Sequence, residues 1–438
     1  MVTPRTNAAS KVGSPSWLSR RVLSWAAYDI ASSTYAALIP TFFGLYFVSR
    51  VGQGSPAAGA WGLVAAASLV AAGLLSPLVG AHADRTGRWR STVALATAAC
   101  VLAVLLLPLA SRSGLLAAAA AFLVAQVAYT LAISVYDSYV VDIAPARRRG
   151  SVSGIGWALG LCGGVAAIAV ALLMTRGLPP TGQVEQLSSV FIVSALMFAI
   201  LAIPGVAGLR GLRRAPERVN GKADATFGSL RAVAGTLRDW RSHRMALQVL
   251  LSFFLINDVL VTIQFFIAIV LSARFGLTVE GLLWLSLLFH LIAVPSTILL
   301  GVLADRRGAR VTLAGMCVVL ASAILLLAFG RATWTPTFAV VMLGFVYAAI
   351  QAVFRSLYAA LVPYDRAAEL FGFNSIAGRL SAAVGPLLFG AAVAMLGSQT
   401  IALCLLLLPL AAGVVLLITV RLPAAYADAG DTRVASSA

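Results

Sequence analysis

Residues 80–88 read Gly-Ala-His-Ala-Asp-Arg-Thr-Gly-Arg, and residues 301–310 read Gly-Val-Leu-Ala-Asp-Arg-Arg-Gly-Ala-Arg. The second stretch repeats the pattern of the first 221 residues later. Each closes one long apolar run and opens the next. Runs of about 20 apolar residues, rising 1.5 Å per residue, cross about 30 Å of hydrocarbon as helices. The rest of the chain fits that reading. It is 61% hydrophobic and 11% charged over 438 residues, where a soluble domain carries about 25% charge. Too few polar side chains remain to cover a water-facing surface, so lipid is the solvent. In lipid only helices or closed barrels satisfy the backbone. The apolar runs are continuous rather than alternating, which excludes a barrel.

Apolar windows place spans near 22–48, 58–81, 91–110, 115–141, 151–174, 187–209, 245–272, 280–303, 311–329, 335–361, 370–395 and 399–420. The expected fold is all-α and integral to the membrane, with twelve transmembrane helices in two pseudo-symmetric six-helix bundles. The expected organisation is a tail (1–20), an N-terminal bundle (21–209), a linker (210–244), a C-terminal bundle (245–421) and a second tail (422–438). In the linker, Phe227, Leu230, Val233, Leu237 and Trp240 form one apolar helical face, read as a helix at the membrane surface. No cleavage site follows the first span, so the N-terminal segment reads as an uncleaved tail.

The net charge of +17 is not a nucleic-acid signal. Lys and Arg cluster in short loops, with no basic face carrying interleaved aromatics. With the N-terminus inside, cytoplasmic segments hold 25 basic residues and the opposite loops 5, namely Arg50, Arg112, Arg176, Arg274 and Arg331. That bias places both termini in the cytoplasm and the protein in the cell (inner) membrane. Cys100, Cys162, Cys317 and Cys404 lie in separate spans and read as packing, not as a disulfide or metal framework. No nucleotide-binding loop, metal cluster or cofactor motif is present, and nothing reads as an enzyme.

The two halves share more than their loops. Tyr129, Asp137, Pro145, Gly154 and Gly160 recur 218 residues on as Tyr347, Arg355, Pro363, Gly372 and Gly378. Tyr28-Asp29 of the first span has a counterpart in Asn257-Asp258 of the seventh. Duplicated transporters of this kind place their substrate between the repeats.

The paired Gly80-x3-Asp84-Arg85-x-Gly87-Arg88 and Gly301-x3-Asp305-Arg306-x-Gly308-x-Arg310 loops resemble the cytoplasmic signature of the major facilitator superfamily. The expected role of Gly80, Asp84, Arg85, Arg88, Gly301, Asp305, Arg306 and Arg310 is a conformational latch. Its glycines admit a neighbouring helix, and its arginines face the anionic leaflet. A finer resemblance is to the autophagy-linked vacuolar effluxer branch. It is carried by Trp25-Ala26-x-Tyr28-Asp29-x-Ala31-Ser32-Ser33, Asn257-Asp258, Arg355-Ser356-Leu357-Tyr358 through Pro363, Glu369-x-Phe371-Gly372-Phe373 and Gly385-Pro386. Ser32, Asp137, Val141 and Asn374 depart from that branch. The resemblance implies efflux of an amino-acid-like solute.

Ionisable and polar groups at lipid depth are costly, about 2.5–3.5 kcal/mol or more for a charge, and mark function. Asp29 with Tyr28, and Asp258 with Asn257 and Gln264, are candidate proton-titrating carboxylates or substrate clamps; the alternative is a structural hydrogen bond to a neighbouring helix. Gln126, Tyr347 and Gln351 lie on polar stripes of spans four and ten and are further substrate candidates. Asp137 and Arg355 hold equivalent repeat positions with opposite charge. They form a candidate gate, with Arg355 gripping a substrate anion, or pairing within each bundle, as alternatives. Arg379 reads as packing or latch, and His290 as a satisfied interior group. Gly154, Gly156, Gly160, Gly163 and Gly164 read as close helix packing.

The expected function is secondary active transport of a small polar solute by rocking of two bundles, coupled to protons. The partners are that solute, protons and membrane lipid, with a monomeric chain and no cofactor. A drug or lipophile effluxer, or a non-transporting sensor or assembly factor with the same fold, are the rival readings.

Overall fold

The computed structural model describes residues 20–51, 55–139, 143, 149–211, 244–361, 378 and 380–420. The tails, most of the linker with its expected surface helix, Pro145, Pro363, the segment through Asn374, and Arg379 lie outside the described residues.

The described residues are helical, with no strand among them. The helices are α1 Arg20–Val51, α2 Ser55–Thr86, α3 Trp89–Ser113, α4 Leu115–Asp137, α5 Arg149–Thr175 and α6 Pro180–Gly208 in the first half. The second half holds α7 Arg244–Phe275, α8 Val279–Arg307, α9 Ala309–Phe329, α10 Thr335–Leu361 and α11 Val384–Leu396. Its last span is two pieces, α12 Gln399–Leu405 and α13 Leu407–Thr419, joined by a turn at Leu406. Among the described residues, ten helices are long and apolar enough to cross a membrane. Shorter apolar stretches, Leu159–Thr175 and Val384–Leu396, lie in the fifth and eleventh spans. The all-α fold is as expected. Several boundaries differ: the second span runs on to Thr86 rather than 81, the sixth begins at Pro180 rather than 187, and α4 ends at Asp137 in a turn rather than at 141.

The inner and outer helices differ in what they bury. The apolar windows of α1 and α7 are 72% buried, that of α8 only 22%. Leu102, Leu106 and Leu109 of α3 and Ile200 and Ile203 of α6 are exposed. In lipid such exposure is no penalty, because hydrocarbon solvates leucine as well as a protein core does. The inner helices must instead be answered by protein. Trp25, Tyr28, Tyr35, Phe42 and Phe43 of α1 are all buried.

Glycines set how closely α1 is gripped. A Cβ on Gly163 of α5 would overlap the Ile30 carbonyl. On Gly205 of α6 it would sit 2.8 Å from Tyr28 Cα. These helices touch backbone to backbone, as small residues allow. The cysteine reading needs a partial correction. Cys100 and Cys317 are buried as expected, but Cys162 is exposed, and Cys404 is half-buried, packed against the edge of the core.

The halves meet at the end opposite the latch loops. Trp61 Nε1 of α2 donates to the Phe265 carbonyl of α7 at 2.9 Å. A Cβ on Gly62 would lie 2.5 Å from the Pro386 carbonyl oxygen, and one on Gly390 would lie 2.8 Å from that of Ala58. The Glu280 amide donates to Gln183 Oε1 at 3.1 Å between the first turns of α8 and α6. At the latch end, a Cβ on Gly80 or Gly301 would meet nothing within 4 Å.

Gly163→Ala is expected to destabilise the purified protein by about 1–3 kcal/mol through overpacking. Gly315→Ala, which meets nothing within 4 Å, is expected to be neutral. Thermal or denaturant unfolding in detergent checks both.

Candidate functional site

Asp29 sits in an aromatic frame. Its Oδ2 accepts a hydrogen bond from the Tyr136 hydroxyl at 2.9 Å. The same hydroxyl lies 2.8 Å from the Trp25 carbonyl, so one proton serves two acceptors. The Trp25 indole N–H donates back to the Tyr136 carbonyl at 3.4 Å, and the two rings stack with centroids 5.0 Å apart. Tyr28 packs on the other side of Tyr136 at 4.6 Å, its hydroxyl 2.6 Å from Thr97 Oγ1. Gly156 of α5 leaves room for this arrangement, since a Cβ there would run into the Asp29 carboxylate. Asp29 is half-buried and makes no ion pair among the described residues. The nearby charge that acts on it is of its own sign, from Asp137 at the end of α4. Tyr136 lay within the fourth span but was not singled out from sequence. Its place next to Asp137 was the available signal.

Asp258 has a different setting. It is buried, 6% exposed, and its Oδ1 accepts from the Gly385 amide at 2.8 Å. Gly385 is in the first turn of α11, where amides lack intrahelical partners and a negative charge is favoured. A Cβ at 385 would come within 2.7 Å of Asp258 Oδ2, so only glycine admits the carboxylate. Asp258 thus ties α7 to α11 inside the second bundle. Asn257 is half-buried beside it on α7.

Two tyrosine–glutamine bonds mirror each other. Tyr35 on α1 donates to Gln126 Oε1 on α4 at 2.9 Å. Tyr347 on α10 donates to Gln264 Oε1 on α7 at 2.9 Å. Tyr35 follows Asp29, and Gln264 follows Asp258, by the same six positions. Donor and acceptor have changed places between the repeats. The sequence reading named three of these four residues and missed Tyr35, which the Asp29–Asp258 offset alone could have supplied. Tyr35 and Gln126 are buried, while Gln264 and Tyr347 are half-buried.

Gln351 and Arg355 line a cavity of about 130 Å³ with Val249, Leu250, Phe253, Phe354 and Tyr358, between α7 and α10. Arg355 is exposed there. Asp137 is also exposed, at the last residue of α4. The contacts described place Asp137 by Asp29 and Arg355 in this cavity; each makes interactions of its own.

In the latch, Arg85, Arg88, Asp305 and Arg306 are exposed, and Asp84 is in the last turn of α2. Arg310 turns inward: its Nη1 donates to the Val420 carbonyl at 3.0 Å, just past α13. Arg90, not singled out from sequence, donates from Nε to the Val206 carbonyl of α6 at 2.9 Å. Both cations answer carbonyls at helix C-terminal ends, where positive charge is favoured. His290 bonds through Nδ1 to the Ser286 carbonyl at 2.7 Å. Its ring faces Gly164 across the α8–α5 contact, 3.5 Å from where a Cβ would stand.

A twelve-helix plan with polar groups in its inner helices and a repeated basic loop invites comparison with known transporters. The family model described as Major Facilitator Superfamily matches residues 22–386 and 261–435. The chain belongs to the major facilitator superfamily. It is a multi-pass membrane transporter and not an enzyme. It is similar to the uncharacterized MFS-type transporter YxiO of Bacillus subtilis (strain 168), at 26% identity over 90% of this chain and 93% of that one. Among solved structures it resembles a D-xylose-proton symporter (TM-score 0.67, 14% identity, 91% and 96% of the two chains). It also resembles the nucleoside transporter NupG (TM-score 0.66, 16% identity, 91% and 97%). A bacterial homologue of the human lysosomal transporter Spinster, inward-facing and unoccupied, follows with a TM-score of 0.58, 15% identity, and 93% and 96% coverage. At such identities these structures share the fold.

Asp258→Ala is expected to destabilise the protein by about 1 kcal/mol through loss of the helix cap. Asp258→Asn keeps an acceptor for the Gly385 amide and is expected to cost less. Melting of the two variants side by side checks this.

Proposed function

We propose that this transporter moves a small polar solute by alternating access and couples that movement to protons through Asp29. The observation that carries the reading is the state of Asp29: half-buried in an inner helix, hydrogen-bonded to Tyr136, unpaired with any cation among the described residues, and near Asp137. A carboxylate so placed can take up and release a proton without breaking an ion pair. Release changes its charge beside another acid, which is the differential interaction a coupling step needs. Asp258, engaged with α11, serves as a positioning residue in this reading. Gln264, Tyr347 and Gln351 stand nearer the solute, and Asn257 and Gln126 support them.

The basic latch loops support that end as the cytoplasmic one. The contact between α2 and α11 is then on the outer side. A bacterial relative supports the cytoplasmic membrane as the site. Asp137 and Arg355 act in the reverse state, closing the inner side when the bundles approach. An amino-acid-like solute rests on the resemblance to the vacuolar effluxer branch. Sugars and nucleosides belong in the same trial, since proteins of this fold carry them in name.

Proteoliposomes holding the full chain, assayed with labelled amino acids, sugars and nucleosides at two proton gradients, test the reading. Gradient-driven flux of one solute is expected, and Asp29→Asn is expected to abolish it while leaving solute exchange at equal concentrations. Gradient-independent flux with normal binding would remove proton coupling. Asp137→Arg and Arg355→Asp are each expected to impair flux, with partial recovery when combined; no recovery from folded double variants removes the gate. Gly390→Val is expected to hold the outer contact open, read as faster thiol labelling at a cysteine introduced at Phe265.

A further inference from the structure

Of the five arginines on the side opposite the latch, two lie near one corner of the second half: Arg274 bonds the Ala328 carbonyl, and Arg331 follows three residues later. Arg274, in the last turn of α7, reaches to the ends of two other helices. Its Nη1 donates to the Thr400 hydroxyl of α12 at 2.5 Å and its Nη2 to the Ala328 carbonyl of α9 at 2.6 Å. Arg331 follows Gly330, where α9 stops. Arg331 is exposed and makes no hydrogen bond or ion pair among the described residues, and its charge acts on Arg274. Two guanidiniums side by side repel.

The same corner gathers unanswered polar atoms. Among the described residues, three buried side-chain atoms lack a hydrogen-bond partner: Arg274 Nε, Thr335 Oγ1 and Gln399 Oε1. Thr335 packs onto Gly330, and Gln399 precedes Thr400, so all three belong here. Around them the surface is aromatic. Phe329, Trp334 and Phe338 are 62%, 59% and 52% exposed, and Trp334 meets Phe338 edge-on at 6.0 Å. Exposed tryptophan beside a helix end marks the level of lipid headgroups.

We propose that Arg274 and Arg331 bind the phosphate of a membrane phospholipid, with Phe329, Trp334 and Phe338 against its acyl chains. The planar guanidinium fork matches phosphate oxygens, and an anion between the two arginines turns repulsion into attraction. The headgroup oxygens meet the exposed Arg331 guanidinium and the half-buried guanidinium of Arg274 beside it. A lipid fits better than free phosphate because the aromatic rim continues the site toward hydrocarbon.

The test strips the full chain of lipid in detergent and titrates it with phosphatidylglycerol or, separately, with inorganic phosphate. Melting temperature and native mass spectrometry are the readouts. Phosphatidylglycerol is expected to raise the melting temperature and to appear as one retained lipid. Arg331→Gln, at an exposed position, is expected to weaken that binding about tenfold, the size of one lost charge-assisted contact. Arg50→Gln, whose guanidinium lies over its own Tyr46 ring at 5.3 Å, is expected to leave it unchanged. Equal lipid binding by the wild type and Arg331→Gln overturns the proposal, as does the same stabilisation from inorganic phosphate alone.

Discussion

In hydrocarbon no water stands ready to answer a polar group, so every donor and acceptor sunk there must be met from within the protein. That constraint makes the chain helical, and it then dictates where each buried polar side chain turns. Asp29 finds the Tyr136 hydroxyl, and Asp258 finds the first amides of α11. Tyr35 and Tyr347 find glutamines on the neighbouring inner helix. Arg90 and Arg310 find carbonyls where helices end. Each half settles its polar groups by the same geometry, even where the residue types have been exchanged.

The two acids at equivalent repeat positions show how one solution can serve two ends. Asp258 accepts from a helix terminus that cannot otherwise be satisfied, which fixes it. Asp29 accepts from a hydroxyl with a second acceptor within reach, the Trp25 carbonyl. The Tyr136 hydroxyl is thus shared between the carboxylate and a backbone carbonyl. The asymmetry between the halves therefore comes from the partner and not from the acid itself.

Close approach is governed by glycine. The grip of α5 and α6 on α1, and the meeting of α2 with α11, occur where a methyl group would collide with backbone. At Gly80 and Gly301 the same residue type faces open space.

Much of the fold was legible in the sequence, because hydrocarbon thickness sets span length and the duplicated basic loop reports both the repeat and the family. The ionisable residues at depth were legible for the same reason: charge there is costly enough to stand out. The site was less so. Polar spacing named Gln126, Gln264 and Tyr347 but not Tyr35, and it could not tell Asp29 from Asp258. Arg90 and the Arg274–Arg331 corner gave no local signal at all. Periodicity along one helix reports which face a residue occupies, whereas a hydrogen bond depends on the helix brought opposite it. The sequence by itself determined lipid as solvent, helix as element and two repeats as plan. Only the tertiary structure decided which acid is tied to a helix end, where the two halves touch and which arginines lie near one another, since those depend on distances between segments far apart in the chain.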